Sequence, residues 1–386
     1  MKRLLATCAA LALTAASGSA ALADSVKVGI VAELSGGGAP SGTMYSNGVQ
    51  LGFEEINAEG GILGKTIEFE TADTQTDPAT SVAVMRRMVN DKPFAVFGTV
   101  YSSSTVANMV IAKDAGIPQI SGSESTQVVD QGNPNIFLTS YSQRMGFIKL
   151  VDWVVNGLGA KKVAMIWSND AFGKGGRDAF VEYLSKHNME LAADISTEAQ
   201  QADFTAELTE VRNSGADVLM VYSHEEENAR IMIQLRKLGL DIQAVGDNLC
   251  AATTIEAGGE AVNGAKCQVP MTALSPIPRM QEVAKKFEEK YGQAPDHNGF
   301  KGYIAAYMMK AAVERVGDWD QEKFRNCLHN NLFTAEKYPG VLVDTFILEN
   351  GDADRGSFVV EVVDGKNVVS QVLGLVGDSY EEHSCN

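Results

Sequence analysis

Hydroxyl residues crowd two loops of this 386-residue chain at points where helices begin. The apolar run Phe94-Ala95-Val96-Phe97-Gly98 gives way after Tyr101 to Ser102, Ser103, Ser104 and Thr105, helix-capping residue types that precede a helical pattern. A second short strand, Gly116-Ile117-Pro118-Gln119-Ile120, ends in Ser121, Gly122, Ser123, Glu124, Ser125 and Thr126, again ahead of a helix-like segment. A helix N-terminus offers unpaired N–H groups and partial positive charge, so hydroxyls and amides at one sheet edge suit an anion such as a carboxylate. Taken one loop at a time, the same residues read equally well as ordinary caps.

The remaining chemistry-bearing residues exclude more than they assign. There is no GxSxG elbow, no HExxH, no P-loop and no dinucleotide GxGxxG after the first strand, so no enzyme class and no cofactor is expected. Gly173-Lys174-Gly175-Gly176 lacks phosphate-loop spacing, and His187, His224, His297, His329 and His383 are too dispersed to gather a metal. Asp352 and Asp354 sit in a turn without the ligand spacing of a calcium loop. His224 stands at a strand end, followed by Glu225-Glu226-Glu227, acids that also suit the first turn of a helix. Phe172 and Tyr101 read by themselves as core or rim aromatics, and Arg144 as a surface residue or a carboxylate partner.

The elements that must position these residues alternate regularly. A strand at 26–31 is followed by a glycine-rich loop from Ser35 to Gly42, a helix with Val49, Phe53 and Ile56 on one face, a strand at Ile67-Glu68-Phe69-Glu70 and a helix through Val89. From Lys162 the pattern restarts: a strand at Val163–Trp167, a glycine-rich loop at Ser168–Gly176, a helix at 177–188, then strands running into Ser223-His224-Glu225 and Asp247-Asn248. The expectation is an α/β chain of two doubly wound parallel-sheet lobes whose matched loops face each other across a cleft. Helices are expected at 279–291 and 299–316, and two strand-like runs at 341–348 and 357–363. Residues 1–23 have the parts of a cleaved secretory signal peptide, so an exported protein is expected. The formal charge of −17 argues against nucleic acid or anionic lipid as partner, and no later segment is apolar enough for membrane insertion. Cys250, Cys267, Cys327 and Cys385 allow three disulfide pairings, of which Cys250 with Cys267 and Cys327 with Cys385 is preferred.

The order of parts resembles the type I periplasmic binding proteins of the leucine/isoleucine/valine kind. The resemblance is carried by Glu33-Leu34-Ser35-Gly36, Gly42, the run Glu55-Ile56-Asn57-Ala58-Glu59-Gly60-Gly61-Ile62-Leu63-Gly64, the pair Asp77-Pro78, and Ser102 to Thr105. It implies a monomeric receptor that closes two lobes around a small carboxylate ligand and delivers it to the membrane permease of an ABC transporter. The lobes would be 24–142 with 272–346 and 143–271 with 347–378, joined by three crossing segments, with 379–386 as a tail. By position, Ser102 and Ser125 would hold the carboxylate with Thr126 beside them, the Ser123 carbonyl would take an ammonium, and Phe172 would close over the ligand. His224 stands where the family's amino-acid binders carry a tyrosine, Asn248 where they carry the ammonium-binding glutamate, and Ser41 where they carry an aromatic ring. Asn248 brings no charge, so Glu124 and Asp247 are alternative counter-charges, and a 2-oxo acid, an aromatic acid or an amide is an alternative to an amino acid. An exported hydrolase or sensor using the same cleft is the competing reading.

Overall fold

The computed structural model describes residues 24–385; the expected signal peptide lies outside the described residues. The first sheet is wholly parallel, in the order β2 (Thr66–Asp73), β1 (Ser25–Ala32), β3 (Val96–Phe97), β4 (Gln119–Ser121), β5 (Ile136–Leu138). The helices between its strands are α1 (Ala39–Ala58), α2 (Pro78–Asn90), α3 (Ser102–Asp114) and the short α4 (Thr126–Val129). After α5 (Gln143–Asp152) the chain repeats that winding as β6 (Val163–Ser168), α6 (Ala171–Lys186), β7 (Leu191–Thr197), α7 (Thr205–Ser214), β8 (Val218–Tyr222), α8 (Glu225–Lys237), β9 (Gln243–Gly246), α9 (Ala252–Gly258) and β10 (Lys266–Val269). These strands lie in the order β7-β6-β8-β9-β10, which is the order of the first sheet strand for strand. The two doubly wound lobes expected from the sequence are therefore present.

The chain then returns to the first lobe through α10 (Pro278–Tyr291), α11 (His297–Val316), α12 (Gln321–Leu328) and a small antiparallel sheet of β11 (Asn331–Phe333), β12 (Thr345–Ile347) and β13 (Ala353–Arg355). It crosses once more into β14 (Ser357–Val363) and β15 (Lys366–Leu373), an antiparallel edge on the second sheet. The strand β15 is absent from the sequence expectation because it is a half-exposed edge with no continuous apolar run to announce it. Both preferred disulfides form, Cys250–Cys267 and Cys327–Cys385. No helix among the described residues is long and apolar enough to cross a membrane.

The second glycine-rich stretch is mostly helical, and the first is helical in its latter half. α1 starts at Ala39, inside the stretch expected to be a loop, with Pro40 in its first turn. α6 starts at Ala171, six residues before the expected 177, because the Asp170 carboxylate accepts from the Gly173 N–H at 2.9 Å and caps it. The glycines are there for contact. A Cβ on Gly173 would lie 1.9 Å from the Ser168 carbonyl oxygen, and one on Gly176 2.0 Å from the Tyr222 ring. The first turns of α6 thus press onto the ends of β6 and β8. α1 and α11 approach in the same way, since a Cβ on Gly48 would lie 2.0 Å from Gly299 O and one on Gly302 2.0 Å from Tyr45 O. That close crossing seats α11, whose N-terminal end reaches the space between the lobes.

Candidate functional site

The carboxyl ends of the two parallel sheets face each other, and the loops after β1, β3 and β4 meet those after β6, β8 and β9. Between them lies a small, partly open cavity. From the first lobe Ser41, Tyr101, Ser102 and Glu124 line it, and from the second Phe172, His224 and Asn248. Seven of the ten residues singled out from the sequence thus share one wall space. Ser123, Ser125 and Thr126 lie behind it: Ser123 Oγ is 2.5 Å from Thr105 Oγ1, the Ser125 hydroxyl donates to Ala171 O at 2.9 Å, and the Thr126 N–H donates to Gln143 Oε1 at 3.0 Å.

The loop after β3 is held from beneath. Glu33, fully buried at the end of β1, accepts from the Val100 N–H at 3.1 Å and the Tyr101 N–H at 3.2 Å. Burial pushes the Glu33 carboxyl up to about 7 against the lowering effect of those bonds. α3 then begins at Ser102 without a side-chain cap, and Tyr101 and Ser102 at that end line the cavity. Ser102 Oγ accepts from the Ser125 N–H at 3.3 Å, so its own hydrogen remains free to donate. A hydroxyl beside a helix N-terminus is an arrangement that suits an anion.

Across the cavity, His224 precedes α8 and its Nε2 lies 2.6 Å from Asp170 Oδ2, while its ring stacks on Tyr101 of the first lobe at 4.3 Å and 10°. Burial pulls the imidazole down, but the Asp170 charge and hydrogen bond outweigh it, with Glu225 and Glu227 adding, and hold it up at about 9. Phe172 stacks on Tyr222 at 4.4 Å and tilts against His224, making one aromatic wall. Arg144 is away from this space, in a two-pronged surface pair with Asp130 at 3.0 and 2.6 Å.

Other lining residues were not singled out from the sequence. Lys301 of α11 is buried at 2% exposure, and its Nζ lies 2.5 Å from Glu124 Oε1, 3.3 Å from Asn298 Oδ1 and 3.4 Å from Gly122 O. Asn298 also donates to Glu225 Oε1 at 3.4 Å, and the Ser41 hydroxyl donates to the same oxygen at 2.7 Å. In the sequence Glu225 reads as an N-terminal acid of its helix and Lys301 as one residue of a packing helix. A lone lysine in the run Gly299-Phe300-Lys301-Gly302-Tyr303 was the signal available.

A family model described as periplasmic binding protein matches residues 25–367. The chain is 32% identical over 311 residues to an amino acid binding protein of Pseudomonas aeruginosa, covering 78% of this chain and 82% of the relative. Among solved structures it is similar to the branched-chain amino acid transporter substrate binding protein of Streptococcus pneumoniae in complex with isoleucine, at 24% identity and a TM-score of 0.81, covering 91% of this chain and 99% of that one. It is equally similar in fold to a solute binding protein of an ABC transporter from Rhodopseudomonas palustris in complex with 3,4-dihydroxybenzoic acid, at 22% identity and a TM-score of 0.81, covering 92% and 99%.

Proposed function

This chain belongs to the periplasmic binding protein family, and we propose that it is the periplasmic receptor of an ABC importer, a non-catalytic protein that closes on a small carboxylate solute and presents it to a membrane permease. The observation that carries this reading is the meeting of corresponding strand-end loops from both lobes around one cavity. Contacts that join that face across the lobes include Ser41 and Asn298 with Glu225, Tyr101 with His224, and Ser125 with Ala171. The moving bodies are residues 24–142 with 272–346 and 143–271 with 347–378, as the resemblance implies. The chain changes sheet at Gly356, between β13 and β14.

In this reading the ligand carboxylate lies at the N-terminus of α3, taking the Ser102 hydroxyl, while Ser123, Ser125 and Thr126 shape the loop behind it. Phe172, Tyr101 and His224 cover the ligand body, and Ser41 and Asn248 border it. An amino acid, a 2-oxo acid and an aromatic acid all satisfy the carboxylate site, in keeping with the isoleucine and dihydroxybenzoate held by proteins of this fold. A ligand that binds only the native chain raises its melting temperature. A thermal-shift screen of small carboxylates on the wild type and Ser102→Ala tests the reading. Stabilisation of the wild type and its loss in the variant are expected, and conversion of the bound solute into a product would instead favour the hydrolase.

A further inference from the structure

We infer that Glu225 is the ammonium-binding, specificity-determining residue of this cleft, so that its ligand is an α-amino acid and not a 2-oxo or aromatic acid. The inference rests on the receptor reading above and narrows the ligand of the same site. The resemblance would seek this counter-charge at position 248, where the chain has Asn. The structure supplies a carboxylate from the preceding strand-end loop instead.

Glu225 lines the cavity and is buried at 4% exposure. Its side chain is met by two neutral donors, the Ser41 hydroxyl at 2.7 Å and the Asn298 amide at 3.4 Å. Among the described residues no lysine, arginine or histidine pairs with it; Lys301 is spent on Glu124, and His224 on Asp170. The Glu225 charge adds to the field on His224, but no cation among the described residues contacts it, and an ammonium from the ligand would give this buried carboxylate a direct partner. A second observation points the same way. Asn248, 8% exposed and on the same cavity wall, has an Oδ1 that receives no hydrogen bond from any described residue. Thr254 ties the two positions together, its hydroxyl lying 2.8 Å from Asn248 O and 3.3 Å from Glu225 O. An ammonium brings three donors to a wall that offers a carboxylate and a spare amide oxygen. A 2-oxo acid or a benzoate would bring further acceptors, or none, to the same wall.

The surrounding charges agree. Burial and then the Glu124 charge drive Asp247 far above the usual carboxylate range, toward its neutral form. Burial and then the Glu225 charge raise Asp296 to about 6. Lys301 and the His224 imidazolium each already face a carboxylate, Glu124 and Asp170, so neither is free for a ligand that carries a carboxylate with no positive group.

Calorimetric titration of the purified protein with isosteric pairs tests this: alanine and pyruvate, valine and 3-methyl-2-oxobutanoate, leucine and 4-methyl-2-oxopentanoate, with benzoate added. At least one amino acid is expected to bind about 100-fold or more tightly than its 2-oxo partner and than benzoate. Glu225→Gln, similar in shape, is expected to lose about 100-fold for that amino acid while leaving the weak 2-oxo binding little changed. The pair comparison on the wild type stands even if that variant does not fold. A 2-oxo acid or benzoate binding as tightly as the amino acid overturns this inference and leaves the receptor reading intact, as does undiminished amino-acid affinity in a folded Glu225→Gln. Failure of every carboxylate in the panel to bind overturns both.

Discussion

Ser102 and Ser125 looked equivalent in the sequence, yet hydrogen-bond direction separates them. Ser102 accepts from a backbone N–H and keeps its hydrogen, whereas Ser125 spends its hydrogen on the Ala171 carbonyl. Ser102→Ala is therefore expected to weaken carboxylate binding directly, by about 10-fold or more, as for a lost hydrogen bond to a charged group. Ser125→Ala acts through the contact between lobes. His224 gives the protein a pH dependence. Its value near 9 lies above the ordinary 6.5, so the stabilisation it brings is complete below about 6.5 and is lost as the pH rises through 9. Asp170 is the matching acid: burial raises it, but the imidazolium wins and holds it below its usual range. Thermal melts from pH 6 to 9.5 should fall by at most about 3 kcal/mol from this pair, since each tenfold change in a protonation equilibrium is about 1.4 kcal/mol. His224→Gln should flatten that slope, and an unchanged slope would show that the pair is not its source.

Elements carried most of what the sequence made legible. Strands buried on both faces, such as β6 and β8, appear as continuous apolar runs, and Asp77-Pro78 announces the start of α2 because Asp77 Oδ1 accepts from the Thr80 N–H at 2.6 Å. What stayed illegible depended on partners distant in the chain. The glycines of α6 look like a loop until Tyr222 and Ser168 are placed against them, and Lys301 looks like packing until Glu124, 177 positions earlier, is brought to it. The closeness of α1 and α11 is itself testable. Gly302→Ala puts a methyl group against the Tyr45 carbonyl and should cost about 1–3 kcal/mol in denaturant unfolding. The Cys250–Cys267 bridge ties the loop that carries Asn248 to β10 across 17 positions, and closing a loop of that size stabilises by about 3 kcal/mol. Replacing both cysteines by serine should lower the melting temperature and weaken ligand binding together. A loss of stability with unchanged affinity would show that the loop holds its shape unaided.

At the scale of the whole molecule, two copies of one winding face each other, and the cavity exists only where they meet. Closure is then an equilibrium that a ligand shifts by as much as its preference for the closed form. Solution scattering should show the chain contracting on ligand addition, and free ligand at about 100 times its dissociation constant should add close to 2.7 kcal/mol of stability. The account's central claim is a stoichiometric receptor whose first wall holds a carboxylate, and calorimetric titration of wild type and Ser102→Ala with the solute that most raises the melting temperature addresses it most directly. One solute per chain, recovered chemically unchanged and bound at least about 10-fold more weakly by the variant, is the result the account predicts. Turnover of that solute, or equal affinity in the two proteins, would contradict it.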